Sequence, residues 1–179
     1  MFLSIEERKV FFKNWLKLLI FVNNKYKIIK SFGCPKSPIG LDPDELIKIR
    51  NKLWKNKMCI NEYLKYSNIK NEDRNIVNLW NNFICEKFLF IKSYKKYSVF
   101  MDFSNNKIYG VNGISSPIIN IIPYLPKMIK TTLIPFNGKI IFDSLIEVEN
   151  ITFGKNMEKS FNEEYMKLKR KIGIIEVLE

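Results

Sequence analysis

The acidic side chains in the second half of the chain are the residues best suited to catalysis. Asp143, Glu147 and Glu149 lie on or beside one predicted strand. Asp143 and Glu147 share a face of it because side chains alternate along a strand. Two carboxylates on one face could bind a divalent metal ion. The simpler interpretation is a solvated strand face, which we also expect for Asp102.

Acidic residues in the first half have a structural explanation. Asp42, Asp44 and Glu45 surround one predicted helix start, and Glu72 and Asp73 lie at another. Acidic side chains stabilise the first turn of a helix because the helix dipole is positive there. We therefore do not count these residues as candidates for catalysis.

Several common active sites are excluded by composition. The sequence has no histidine, so it cannot form a Ser-His-Asp triad, a Cys-His pair or a histidine-ligated zinc site. It contains neither a GxxxxGK[ST] nor a GxGxxG phosphate-binding loop. Lysine could act as a base or form a Schiff base, but no lysine stands out from its many neighbours. The sequence favours binding over catalysis and indicates no cofactor and no metal.

Aromatic and basic residues are interleaved between positions 88 and 103. Aromatic rings beside lysine can stack on single-stranded bases, and some RNA-binding sheets use this layout. The glycine-containing RNP pattern is missing, however, and packing against the N-terminal helices explains the same aromatics more simply. The candidate residues for binding a nucleic acid or another partner are Lys87, Lys92, Tyr94, Lys95, Lys96 and Tyr97.

The net charge also points to an acidic partner. Thirty basic and 18 acidic residues give +12, which suggests attraction to nucleic acid or to an acidic protein. Only four of the basic residues are arginine, the residue suited to bidentate phosphate and guanine contacts, so we expect diffuse attraction. The chain lacks alanine and glutamine and is rich in lysine, asparagine and isoleucine. An AT-rich genome would produce this bias, and it raises lysine content whatever the function.

Cysteine usage and hydropathy predict a cytoplasmic protein. Cys34, Cys59 and Cys85 are far apart and form no CxxC pair, which is typical of reduced thiols. The apolar run at 10–22 is interrupted by charge and is too short to span a membrane. We also expect no signal peptide, because acidic residues precede this run and no small-residue cleavage site follows.

The first half of the chain is predicted to be helical. Ser4 and Glu7 form a capping box for a helix that extends to about residue 24. Residues 31–41 contain two glycines and two prolines and are predicted to form a loop. Asp42 followed by Pro43 is a strong start for the next helix.

Two more helical segments follow in the first half. We expect a short one at 60–66 and a longer one that Asn71 caps. The predicted apolar stripe of the longer helix is Ile76, Leu79, Trp80 and Phe83. The tryptophans lie on apolar helix faces and are predicted to anchor the core: Trp15, Trp54 and Trp80.

The second half changes to the period of a strand. The predicted strands, which are rich in aromatic and β-branched residues, are 88–94, 97–103, 108–111, 131–135, 139–146 and 151–153. Asn137-Gly138 is the strongest hairpin turn signal. Ser115-Ser116-Pro117 could open a short helix. A longer helix at about 157–171 ends at Gly173, and 174–178 could be a terminal strand.

The expected fold class is α+β. A helical N-terminal layer at 1–85 precedes an antiparallel sheet or small barrel of five to six strands at 86–179, which includes a C-terminal helix. We expect the two parts to form one compact unit. The chain shows no β-α-β alternation, which disfavours a parallel sheet.

One stretch resembles a group of bacterial proteins of unknown function. Residues 133–143 are similar to that group's "LPFxGKIIYDG" stretch, and 108–111 to its preceding "YGV.G" strand. Residues 125–126 and 49–54 also resemble it, so the similarity spans most of the chain from about residue 40. Ser144 stands where the group often has glycine. The resemblance implies a bacterial cytoplasmic origin and supplies no mechanism.

These observations predict a non-enzymatic binding or regulatory protein that engages an acidic partner, either a protein or a nucleic acid, and no membrane. One alternative is a small inhibitor from a phage or mobile element that blocks a nucleic-acid-guided nuclease, as anti-CRISPR proteins do. The other is a metal-dependent enzyme that uses the carboxylates of Asp143 and Glu147.

Overall fold

A computed structural model describes residues 1–30, 32 and 42–179. The chain divides into a helical unit, Ser4–Asn81, and a barrel unit, Met1–Leu3 with Asn82–Glu179. The predicted loop at 31–41, with Cys34, lies outside the described residues except for Phe32, which is buried.

The helical unit contains the helices α1 (Ile5–Tyr26), α2 (Pro43–Lys55), α3 (Met58–Tyr66) and α4 (Asn71–Leu79). The predicted capping box is confirmed: Glu7 N–H donates to the Ser4 hydroxyl, and Ser4 N–H donates to the Glu7 carboxylate. Asp42 caps α2 by accepting from Asp44 N–H at 2.9 Å. Local sequence thus fixes where both helices begin.

The tryptophans form the centre of the helical core, as predicted. Trp15 stacks on Trp54 at 5.8 Å between ring centroids, and Trp80 meets Trp15 edge-on at 6.1 Å. Phe11 also contacts Trp15 and Trp80. All four side chains are buried. Because α1 contacts each of the other three helices, these rings connect the unit through α1.

The buried face of α4 differs from the prediction. The buried residues of α4 are Asp73 and Val77, whereas the predicted Leu79 is exposed. The predicted Trp80, just after the helix, is buried, and Ile76 and Phe83 are half-buried. The N-cap position belongs to Lys70, and Asn71 is the first helical residue. The reason for the different buried face is the side chain of Asp73, which turns inward and binds α1. This contact sets which face of the short helix is covered.

The barrel unit contains β1 (Ile84–Ser93), β2 (Ser98–Asp102), β3 (Lys107–Asn112), β4 (Lys127–Phe136), β5 (Lys139–Phe142), β6 (Glu147–Val148) and α5 (Lys155–Ile172). The strand order β1-β2-β3-β5-β4 closes on itself because β1 also pairs with β4. The sixth strand, β6, pairs with β4 alone. The expected α+β class with a small barrel is confirmed, and the one parallel pair in the barrel is β3 with β5.

Both faces of β2 and of the central parts of β1 and β3 are buried. Phe88 contacts Phe100 and Tyr109 at 6.0 Å between ring centroids. The opposite face packs on α5 through a cluster whose buried members are Leu89, Ile91, Val99, Met101, Ile108, Tyr165 and Leu168. The rings of Phe88, Phe90 and Phe100 are therefore core residues, and they offer no stacking surface.

One predicted turn of the barrel is confirmed, and one predicted strand is shorter than expected. Asn137 and Gly138 form the predicted turn between β4 and β5, with φ of 48° and 70°. The predicted strand at 139–146 ends at Phe142, although Asp143 N–H still donates to the Thr132 carbonyl at 3.0 Å. The next strand paired with β4 is β6, beyond Ser144 with its φ of 75°.

The last three predicted elements had mixed outcomes. No strand forms at 151–153, and the predicted terminal strand is reduced to a bridge between Ile175 and Tyr109. The predicted helix is confirmed as α5, and Gly173 ends it with a φ of 76°.

Candidate functional site

Tyrosine and lysine side chains converge at the β1–β2 turn. Tyr94 N–H donates to the Tyr97 carbonyl at 2.8 Å, and the two rings meet edge-on at 6.0 Å. The turn residues Lys95 and Lys96 are exposed. Together with three residues described below, they form what we call the hairpin cluster: Lys92, Tyr94, Lys95, Lys96, Tyr97, Tyr165 and Lys169.

Helix α5 supplies two members of the hairpin cluster that the sequence did not reveal. The Tyr165 and Tyr94 hydroxyls are 2.9 Å apart. The Lys169 ammonium lies 5.4 Å from the Tyr94 ring centroid and 5.8 Å from that of Tyr165. Lys92 lies 5.2 Å from the Tyr165 ring. A four-residue spacing on α5 places Tyr165 and Lys169 on one face, but only the fold shows that this face meets the hairpin.

The two hydrogen-bonded tyrosines have opposite pKa shifts. The hydrogen bond with Tyr165 lowers the pKa of Tyr94, and the charges of Lys169 and Lys92 lower it further, whereas burial opposes the shift. Burial raises the pKa of Tyr165, and its hydrogen bond with Tyr94 raises it further. Either hydroxyl can be the donor of this bond. Tyr94 has 38% of its surface exposed, so part of this residue is open to solvent.

Tyr97 lies flat against β3 because a glycine leaves room for it. A Cβ atom at Gly110 would lie 3.0 Å from the Tyr97 ring. The carboxylate of Glu176 forms an ion pair with Lys96 and raises its pKa through that hydrogen bond. Burial raises the pKa of Tyr97, and the charge of Glu176 adds to this effect.

Lys87 is separate from the other five predicted site residues. It lies five residues before Lys92 on β1, about 16 Å away along an extended strand. Its ammonium pairs with Glu149, and its neighbour across the strands is Lys130, which lies 3.8 Å from Glu147. These charges form a mixed surface in which each lysine has an acidic partner.

The carboxylates singled out for metal binding each have a partner within the protein. Asp143 is fully buried and accepts from Leu145 N–H at 3.3 Å, while Glu147 lies on β6 and faces Lys130. Within 1–30, 32 and 42–179, no group of three His, Cys, Asp or Glu residues could hold a metal ion.

The expectation of a solvated strand face was wrong for two acids. Asp102 is fully buried, and it accepts from Ser104 N–H at 2.9 Å and from Asn105 N–H at 3.2 Å. Asp143 is likewise buried and bound to backbone. Both carboxylates close turns, so the backbone provides the hydrogen bonds that allow them to leave water.

Two further sequence features can be located. Cys59 is buried and Cys85 is partly buried, and both are free thiols. Among the helices that the structure describes, none combines the length and the apolar character needed to cross a membrane.

The chain was compared with protein-family models, with curated proteins and with solved structures. No family model, no curated protein and no solved structure matches it.

Proposed function

We propose that the chain is a non-enzymatic binding protein that engages an acidic partner at the hairpin cluster, and that this partner is single-stranded nucleic acid. One observation carries the proposal: four lysines and three tyrosines from β1, the β1–β2 turn and α5 meet at one place on the barrel unit. The lysines would neutralise phosphates, and Tyr94 and Tyr97 would contact bases and phosphate oxygens, whereas the buried Tyr165 holds Tyr94 in place.

The lysines supply attraction without sequence selection. An ammonium group binds phosphate as a point charge, whereas base reading depends mainly on arginine and amide side chains. If all four lysines of the cluster contact phosphates, the logarithm of affinity falls with the logarithm of salt concentration with a slope of about −3. Such a dependence agrees with the low arginine content of the chain.

The tyrosines favour nucleic acid over an acidic protein. Tyr94 is partly exposed beside Lys92 and Lys169, and an aromatic ring next to lysine is the arrangement that stacks on unpaired bases. The strand order also favours it by analogy of fold. Five-stranded Greek-key barrels of the OB type bind oligonucleotides partly through the loop between strands 1 and 2, which is where the hairpin cluster lies, whereas strands 2 and 3 are covered here by α5.

The test is binding of fluorescent oligodeoxythymidine by anisotropy. The variant changes Lys95, Lys96 and Lys169 to Gln. Its matched control changes the exposed Lys48, Lys55 and Lys57 of the helical unit to Gln, with the same loss of charge.

We expect the cluster variant to bind about tenfold or more weakly and the control to change by about threefold or less. Equal losses would mean diffuse attraction and would contradict the proposal, as would a wild-type protein that does not bind at low salt. If polyglutamate binds through the same three lysines as tightly as the oligonucleotide, the partner is an acidic protein instead.

A further inference from the structure

The segment that follows α5 pairs with β3 at Ile175 and reaches the hairpin cluster at Glu176. Ile175 N–H donates to the Ile108 carbonyl at 2.9 Å, and Gly110 N–H donates to the Ile175 carbonyl at 2.8 Å. Ile174 packs against the apolar cluster between α5 and the barrel. Backbone pairing and apolar packing therefore fix the position of the next residue, Glu176.

Glu176 places a carboxylate among the groups that would bind an acidic partner. It forms an ion pair with Lys96, and its charge acts on Tyr97. Lys96 has 69% of its side chain exposed, so solvent and other anions can reach the same ammonium. Carboxylates and phosphates accept hydrogen bonds from the same donors.

We propose that Glu176 is an internal competitor: its carboxylate occupies the position of one anionic group of the partner, and binding displaces it. The inference rests on the proposed function of the hairpin cluster and adds a limit on its affinity. A partner phosphate gains Lys96 only after the Lys96–Glu176 contact opens. An exposed ion pair is weak, so its removal should strengthen binding by about two- to fivefold.

The experiment measures oligodeoxythymidine affinity for Glu176→Gln over a range of salt concentrations. The matched control is Glu179→Gln, which removes the same charge from the same segment at an exposed position. We expect Glu176→Gln to bind about two- to fivefold more tightly with a salt slope that stays at about −3, because displacement of Glu176 lets the same four lysines meet phosphates in the wild type. The control should change affinity by less than about 1.5-fold, since its charge is exposed and screened.

A second comparison separates competition at Lys96 from a general effect of charge. In the Lys96→Gln background, Glu176→Gln should no longer improve binding, because the lysine that it frees is gone. The same improvement in both backgrounds would overturn the inference, and so would equal affinities of Glu176→Gln and Glu179→Gln. If either of these results appears while the Lys95, Lys96 and Lys169 variant still loses binding, only the role of Glu176 as a competitor is wrong. If the wild type and Glu176→Gln both fail to bind, the proposed function itself is wrong.

Discussion

The tyrosines of the barrel unit show how surroundings change the chemistry of one residue type. Tyr94 has a lowered pKa because it is hydrogen-bonded to Tyr165 and lies near two lysines. Tyr109 is buried on β3, and burial with the nearby charges of Asp102 and Glu86 raises its pKa to about 12. The phenol beside the lysines is therefore the most acidic of these, and the one in the core remains neutral.

The shift at Tyr109 predicts a loss of stability in alkaline solution. The folded protein holds the Tyr109 proton up to a pKa of about 12, whereas the unfolded chain releases it near 10. The stabilising contribution is present below pH 10 and is lost as the pH rises from 10 towards 12. Tyr109→Phe should weaken this decline in the free energy of unfolding, measured with denaturant at several pH values. Tyr66→Phe, at a 70% exposed position, is the control and should keep the wild-type decline.

Ser144 adopts a backbone conformation that suits glycine. Its φ of 75° is costly for a residue with a Cβ atom. Ser144→Gly should therefore be more stable than Ser144→Ala by about 1 kcal/mol, since both variants lose the hydroxyl and only glycine relieves the strain. Thermal and chemical denaturation of the two variants check this. Equal stabilities, or a more stable alanine variant, would show that the conformation relaxes.

Elements whose ends are defined by local chemistry could be predicted from the sequence. The capping box at Ser4, the Asp42 cap and the Asn137-Gly138 turn each act within a few residues, and all three are confirmed. By contrast, β1 begins at Ile84, four residues before its predicted start. Glu86 and Lys87 have low strand propensity, but pairing with β4 holds them in the ladder.

Contacts between distant elements could not be predicted, and they complete the candidate site. Five of the six predicted site residues are close in space simply because they are close in the chain. Tyr165 and Lys169 join them only because α5 packs on the outer face of β1, β2 and β3. The sequence shows an amphipathic helix but does not state which strands it covers.

The contact between α1 and α4 also joins distant parts of the chain, and it depends on the polar side chain of Asp73. Asp73 accepts from Asn14 at 2.9 Å and pairs with Lys13 at 2.7 Å. Burial alone would raise the pKa of Asp73, but the hydrogen bonds from Lys13 and Asn14 outweigh it and lower the pKa below 3.8. The carboxylate is thus charged and bound at neutral pH.

Asp73→Asn should destabilise the helical unit by about 1–3 kcal/mol, because it removes the ion pair and leaves a buried amide beside Lys13. In the wild type, the charged Asp73 carboxylate stabilises the fold above pH 3.8, and this stabilisation is lost as the pH falls through its lowered pKa. The variant should therefore lose less stability in acid. Helical circular dichroism during urea unfolding, from neutral pH to pH 3, measures both effects. The exposed neighbour supplies the control: Glu72→Gln removes a first-turn charge but no buried contact, so it should cost about 0.5 kcal/mol or less.

At the scale of the whole chain, the larger net positive charge is in the helical unit, whereas the hairpin cluster is in the barrel unit. The helical unit has 16 basic and 8 acidic residues, a net +8, and the barrel unit has 14 and 10, a net +4. The helical unit also has tyrosine beside lysine, with the Lys52 ammonium 4.4 Å from the Tyr26 ring. The barrel unit differs because its hairpin cluster brings three tyrosines and four lysines together at one place. If charge alone governed binding, the helical unit would bind the partner.

The most direct test uses protein with isotopically labelled tyrosine rings, whose NMR signals are assigned by single Tyr→Phe variants and titrated with oligodeoxythymidine. We predict that the signals of Tyr94 and Tyr97 shift most, that Tyr165 follows through its hydrogen bond, and that Tyr26, Tyr63 and Tyr66 stay in place. Shifts confined to Tyr26 and Tyr66, or shifts of equal size throughout, would contradict binding at the hairpin cluster.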